Sequence, residues 1–593
     1  MAEPIRIANC SGFYGDRLSA AREMVEGGPI DVLTGDWLAE LTMLILARTR
    51  AKRPGGGYAR TFVTQMEQVM GTCLDRGIRV VSNAGGLDPA GCADAVEEVA
   101  ERLGLSPTVA YVGGDDLTDR LDVLTAAGHD LRNIDTGQPL TELEAEILTA
   151  NAYLSCWGIV EALGRGADIV VTGRVTDAGV TVGPAAWHHG WTPADHDPLA
   201  GAVVAGHVIE CGAQTTGGNY SFFTEIADMV DIGFPWAEVA ADGSCVIGKH
   251  DGTAGEVSVG TVTSQLLYEI GPPAYLSPDA TARFDTISIE QLRRDRVRIS
   301  GVRGEPPPPT LKVAMNYQGG YRNSIGIALT GLDVEAKADL VERALWARVP
   351  FQPSDFAQVS TRLVRTDHSD PQSNEAATAW LRVTVKDPDE RKVGRAFSNA
   401  STEIGLATIP GLYGSGGPGA GQPYGVYWPA LVPAADVPME VVVAGERTVV
   451  DHPAPAADGR PEVRPAHVEL PPVPSGPTQR APLGLVAGTR SGDKGGNANL
   501  GVFCRSAEAF AWLDEYLTTE RLQELVVETA GLEVRRYRLA NLWSLNFVVV
   551  GLLEEGVAAS TRQDGQAKSL GEYLRARVVD IPAELLAKTA GQG

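Results

Sequence analysis

Positive charge is scarce in this chain. Fifty Lys and Arg stand against 75 Asp and Glu, a net charge of −25. Such a field repels nucleic acid and anionic membrane surfaces, so neither is expected as a partner, and an anionic substrate needs a local positive pocket. Cysteine is sparse as well: seven in 593 residues, an odd number with no CxxC. That excludes a disulfide framework or a structural zinc site and points to reduced thiols in a cytoplasmic protein. No basic segment followed by an apolar run opens the chain at Met1–Arg6, so no signal peptide is expected. The most apolar helix candidate, Trp37–Ala47, carries Glu40 and is too short to cross a bilayer. Several familiar motifs are missing: there is no GxSxG elbow and no HExxH, and Gly488–Lys494 lacks the GxxxxGK[ST] order. Gly414–Gly419 matches GxGxxG, but it does not lie between a strand and a helix, and Pro418 and Pro423 crowd it.

What is present suggests an α/β protein. At about 150 residues per domain the length allows three or four units. Through the first 210 residues, short apolar runs (Ile5–Ala8, Asp31–Leu33, Ile78–Ser82, Thr108–Val112, Asp168–Val171) alternate with helical patterns at Arg17–Val25, Tyr58–Arg76 and Pro89–Leu103. That alternation implies right-handed βαβ units and a parallel sheet. The expected organisation is a parallel-sheet α/β domain at 1–220, an α+β domain at 221–451, a Pro-rich linker at 452–482 and a small α/β sandwich at 483–593. In the middle, Asp333–Arg348 and Glu390–Ala407 read as helices, and Val359–Arg365 and Trp380–Val385 as strands.

All five early strands run into small polar or acidic residues with glycine. In a parallel sheet those ends share one edge, where α/β proteins build their sites. Asp36 follows the second strand, and Gly85 and Gly86 follow the third. Asp115 and Asp116 follow the fourth; adjacent carboxylates suit a divalent cation such as Mg²⁺ or Mn²⁺, a shifted acid/base pair, or a helix cap. Arg174 and Asp177 follow the fifth, either as an anion clamp with its orienting acid or as a structural pair. His207 and Glu210 are three apart, so on a helix they share a face, as an acid/base couple, two metal ligands or a structural contact. Gly252, Thr253 and Gly255 form a small-residue loop before a helix-like stretch, which suits phosphate oxygens or is a plain turn. Arg490, Asp493, Lys494, Asn497 and Asn499 crowd a glycine-rich segment between two strands, the best candidate anion site in the tail.

The segments Ile7–Arg17, Thr34–Leu41, Val171–Asp177, Ala205–Gly212, Gln265–Gly271, Pro423–Pro429, Arg490–Asn499 and Leu570–Tyr573 together resemble the acyclic terpene utilization (AtuA-like) family along nearly the whole chain. The resemblance implies a ferredoxin-like C-terminal domain and a role in breaking down methyl-branched acyl-CoA compounds. It implies a lyase, or a hydratase, acting on a branched 3-hydroxyacyl-CoA or 3-hydroxyglutaryl-CoA-type thioester. The two glycine-rich loops would then hold the CoA moiety, and a biotin-dependent acyl-CoA carboxylase would be a neighbour in the same catabolism. A non-catalytic scaffold for that carboxylase and a metal-dependent hydrolase using Asp115 and Asp116 are the alternatives. A homo-oligomer is expected from the size of the chain.

Overall fold

The computed structural model describes residues 3–53, 55–453 and 463–590. Residues 454–462, inside the expected Pro-rich linker, therefore lie outside the described residues. The chain forms two compact units. One comprises residues 1–316, 427–557 and 566–593, and the other residues 317–426 and 558–565.

The first unit opens with β1 (Ile5–Asn9), α1 (Ala20–Gly27), β2 (Val32–Gly35), α2 (Glu40–Lys52), α3 (Arg60–Arg76), β3 (Arg79–Ser82), α4 (Pro89–Leu103) and β4 (Val109–Gly113). It continues with α5 (Leu121–Ala126), β5 (Ile147–Ala152), α6 (Trp157–Gly164), β6 (Ile169–Thr172), α7 (Gly179–His189), α8 (His196–Ile209), β7 (Pro235–Val239), β8 (Cys245–Lys249) and α9 (Val259–Leu266). Local chemistry sets these bounds. At α4, for example, the Asp88 side chain accepts from Gly91 N, Pro89 sits in the first turn, and Gly104 ends the helix at φ +68°.

The five expected strands pair in parallel in the order β1-β2-β3-β6-β4, at the centre of an eleven-stranded sheet. Every residue of β6 is buried, as a central strand covered on both faces requires. Antiparallel strands extend the sheet on both sides. β7, β8, Arg296–Ser300 and Ser288–Arg293 continue beyond β1, and Met439–Val443 and Glu446–Val450 beyond β4. Helices α1, α3 and α4 pack together on one face, and α6, α7 and α8 on the other. Helix α8 is apolar all round and buried from Leu199 to Ile209, so it runs through the interior. The chain passes from β3 over the first face to β4, then returns over the second face to β6. The connections leaving neighbouring β3 and β6 thus lie on opposite faces. This is a topological switch point, where open α/β sheets leave a crevice at the strand carboxyl ends.

The C-terminal domain of this unit is a four-stranded antiparallel sheet, Ala487–Lys494, Asn497–Cys504, Ser544–Val549 and Val534–Leu539 in spatial order. Helices Ala507–Tyr516, Thr519–Leu525 and Leu570–Arg575 contribute to its own core, with Phe510, Leu513 and Phe547 fully buried. The second unit is an antiparallel sheet in which Gln358–Val364 pairs with Thr378–Asp387, which pairs with the distal part of Thr310–Thr330. Helix Val334–Arg348 packs on it through Val341 and Leu345. The single helix expected over Glu390–Ala407 is two short ones, Glu390–Val393 and Arg395–Glu403, broken at Gly394. Among the described residues no helix is long and apolar enough to cross a membrane.

Candidate functional site

The strand ends converge. Asn9, at the end of β1, donates through Nδ2 to the carbonyls of Ile209 and Glu210, tying this strand to the C-terminus of α8. Asp36, just past β2, accepts from Leu38 N at 3.2 Å and from the Asn83 amide past β3. Arg174, past β6, is 3% exposed; its Nη1 donates to Leu38 O at 2.8 Å and its Nη2 lies 2.9 Å from Asp177 Oδ1. Its guanidinium sits over the Tyr153 ring, 4.2 Å from the centroid. From α8, His207 Nδ1 lies 3.3 Å from Glu210 Oε1, and Gln265 of α9 donates to the His207 carbonyl.

Glycines let these backbones meet. A Cβ at Gly12 would lie 2.5 Å from the Cys211 carbonyl carbon, and one at Gly85 2.5 Å from Thr172 O. Gly86 takes φ +55° against Gly57 O. Gly85 therefore closes the packing of the β3 exit on β6, and Gly86 packs that turn on Leu46 and Gly57, rather than the two forming an open cradle.

Burial and like charge perturb the acids. Burial, then the Asp177 charge, holds the Asp36 carboxyl well above the usual range, although Arg174 opposes the shift. Glu210 is raised in the same way, by burial and then by Asp177 and Glu269. Burial pushes His207 down to about 4. Polar atoms buried here without a hydrogen-bond partner include His207 Nε2, Glu210 Oε2 and Gln265 Oε1. Unpaired buried polar atoms cost about 1–3 kcal/mol each. Their gathering in one place is a feature of sites that complete themselves with a ligand.

A second ring of groups borders this cluster. Lys312 Nζ lies 3.2 Å from Glu40 Oε1, 5.1 Å from the Tyr153 ring centroid and 5.4 Å from that of Tyr427. Burial opposes the Lys312 charge, but Tyr153, Tyr427 and Glu40 outweigh it and raise the ammonium's pKa. The C-terminal hairpin adds Asp493 and Lys494. Asp493 is pushed up to about 7 by burial and then Glu269; Lys494 is lowered by burial and then Lys312. Both lysines reach solvent: the Lys312 side chain is 40% exposed and Lys494 is exposed. A surface hollow of about 500 Å³ beside Thr118, Asp122 and Leu140 lies elsewhere and is lined by none of these groups.

Asp36, Arg174, Asp177, His207 and Glu210 thus belong to one cluster. Asp115 and Asp116 do not act as a pair. Asp115 is buried and its Oδ2 accepts from Arg174 N and Asn151 Nδ2, each at 2.8 Å, whereas Asp116 is exposed and caps Thr118 N. Among the described residues no three His, Cys, Asp or Glu side chains are placed to share a metal ion, so the divalent-cation expectation at Asp115 and Asp116 does not fit these residues. The loop with Gly252, Thr253 and Gly255 has spent its donors: Thr253 N on His250 O, Gly255 N on Asp228 O, Glu256 N on Thr216 O and Val257 N on Asp295. It is a packed turn, not a phosphate cradle. In the tail motif, Arg490 is committed to Gln214 and the Tyr268 face, Asn497 to Asp135, and Asn499 to Glu269 N and Asn546. These contacts dock the hairpin and carry Asp493 and Lys494 to the crevice.

Residues 5–443 match the acyclic terpene utilisation family protein AtuA. The chain belongs to this family. Residues 481–580 match the AtuA ferredoxin-like domain, in agreement with the small C-terminal sheet. No curated protein matches significantly. Sequence reasoning did not find these members of the second ring: Glu40, Tyr153, Glu269, Lys312 and Tyr427. They come from five separate stretches, and no local spacing links them. Glu40, Glu269 and Tyr427 lie in segments that carried the family resemblance without being singled out as site residues.

Proposed function

We propose that this AtuA family member is an acid–base enzyme, a carbon–carbon lyase or hydratase, acting on a branched 3-hydroxyacyl thioester of coenzyme A. The observation that carries the reading is the buried Arg174 set among Asp36, Asp177 and Glu210, with two of the three carboxyls shifted upward. Pairs of acids pushed apart by their surroundings are what proton transfer in both directions needs. Membership of a terpene-utilisation family supports the substrate class.

In the lyase form, Asp177, the most exposed of the three acids, takes the proton of the 3-hydroxyl. The bond between C2 and C3 breaks, C3 becomes a carbonyl, and the electron pair passes into the thioester enolate. Arg174 stabilises the enolate oxygen. Glu210 then delivers its proton to C2, leaving a shortened thioester and a carbonyl compound. In the hydratase form the same two acids remove a proton from C2 and protonate the departing hydroxyl. No step runs through a metal.

The test is turnover of a panel of branched 3-hydroxyacyl-CoA thioesters, followed by mass spectrometry of the products. Glu210→Gln and Asp177→Asn are each expected to lower turnover by roughly 100-fold or more. Full turnover by both variants, or no consumption of any thioester by the native chain, would sink the reading.

A further inference from the structure

We propose that His207 is a positioning residue for Glu210: the ring directs an Nδ1 proton at Glu210 Oε1, so that the acid's own proton resides on Oε2. The inference deepens the reading above by giving its proton donor a partner, and it rests on that reading only for where the proton goes.

The two residues stand one turn apart on one face at the end of α8, and their backbones are fixed. Asn9 Nδ2 donates to the carbonyls of Ile209 and Glu210, and Gln265 Nε2 donates to the His207 carbonyl at 3.2 Å. The next residue, Cys211, meets Gly12 so closely that only a glycine fits there. Two aromatic rings wall the imidazole, Tyr275 at 5.3 Å and Phe284 at 5.5 Å between centroids. His207 is 1% exposed, so its ring does not turn out to solvent. Its Nδ1 stands 3.3 Å from Glu210 Oε1. That is longer than a settled hydrogen bond. Acid–base contacts are often long in a free enzyme and tighten when substrate binds.

The surroundings decide how many protons the couple holds. Burial, then the charges of Asp177 and Glu269, raise Glu210; Arg174 opposes them, and Asp36 also faces it. Tyr275 and Cys211, which lie in the same field, are raised first by burial. A helix C-terminus favours a charged histidine, as does Glu269, whereas Lys494 disfavours it. Burial outweighs them all and pushes His207 down to about 4. A neutral imidazole has a single N–H. On Nδ1, that N–H serves Glu210 in both of its states: it donates to Oε1 of the neutral acid, and more strongly to the carboxylate left after proton transfer. The proton then departs from Oε2, which among the described residues has no hydrogen-bond partner. With the ring proton on Nε2 instead, bare Nδ1 would draw the carboxyl proton onto Oε1 and away from substrate.

Long-range nitrogen–proton correlation spectra of the full chain report which ring nitrogen of each of its nine histidines is protonated. His207→Asn identifies the His207 signals by their loss. At pH 7 the account expects a neutral His207 with its proton on Nδ1; a proton on Nε2, or on both nitrogens, overturns the proposal. The second readout is the pH midpoint of the Glu210 carboxyl, taken from infrared differences against Glu210→Gln in each background. Asn carries its amide nitrogen where histidine carries Nδ1, and Gln where it carries Nε2. His207→Asn is therefore expected to keep the midpoint within roughly half a unit of native, and His207→Gln to raise it by roughly one unit or more, because the carboxylate loses a charge-assisted donor. Equal midpoints in the Asn and Gln proteins assign the ring to packing alone and overturn the proposal. Unfolding midpoints show whether the variants are folded, and the proton position in the native chain decides the matter if they are not. Neither readout depends on turnover, so the couple and the lyase reading fail independently.

Discussion

Single residues at this site do work that their identity alone does not reveal. Asp115 was a candidate ligand or base from its position, yet its carboxylate braces the turn after β6 by accepting from Arg174 N and Asn151. Burial lifts it from the usual 3.8 to about 7, against the pull of those two donors. A carboxyl raised in the folded state contributes stability that is complete below pH 3.8 and lost as pH rises through about 7. Asp115→Asn keeps an acceptor and does not titrate. Chemical unfolding at a series of pH values should therefore show the native chain losing stability relative to Asp115→Asn between pH 4 and 7. A constant difference across that range would show that Asp115 is not raised. The role of Arg174 was more legible, because an arginine just past a strand end has few neighbours except other strand ends. Its partner Asp177 was also within reach from spacing alone. What spacing could not show is that Leu38 and Tyr153 hold the same guanidinium.

At the scale of elements, the strand ends were readable because two signals coincided. Fully buried parallel strands appear as short apolar runs, and their exits carry glycine and small polar residues. Observed β1, β3, β4 and β6 fall within a residue of the expected bounds, and β2 runs two residues past its expected end. Strand β5 and the antiparallel extensions were not legible: β7 and β8 are buried runs too short to show a period, and the outermost strand beyond them, Ser288–Arg293, is almost wholly exposed. The glycine at the β6 exit has a specific steric cause. A Cβ on Gly173 would lie 2.2 Å from Asp115 Oδ1, whose carboxylate is already pinned. Gly173→Ala should cost about 1–3 kcal/mol of unfolding free energy by urea titration, as overpacking of a fixed neighbour does. A change within about 0.5 kcal/mol, the range of an ordinary surface substitution, would mean that the turn adapts freely.

At the scale of the whole chain, the domain order along the sequence does not describe the site. Residues 427–557 and 566–593 belong to the same compact unit as residues 1–316. The tail's Lys494 therefore stands near groups about 180 residues or more away along the chain, Lys312 among them. A reading that moves along the sequence could flag the tail motif as cationic and glycine-rich, but not that Arg490, Asn497 and Asn499 would be spent on docking. Long-range convergence of this kind is invisible to periodicity, which reports only neighbours on one element.

The central claim is that the raised carboxyls of Asp36, past β2, and Glu210, at the α8 C-terminus, stand with Asp177, past β6, around one buried arginine and exchange protons with substrate. Infrared difference spectroscopy of native chain against Glu210→Gln over a pH series tests this most directly, because a protonated carboxyl has its own carbonyl stretch. The account predicts a protonated-carboxyl band from Glu210 in the native-minus-variant difference that persists above the ordinary glutamic acid value of 4.5. A native spectrum above that value containing only the carboxylate bands of Glu210 would contradict it.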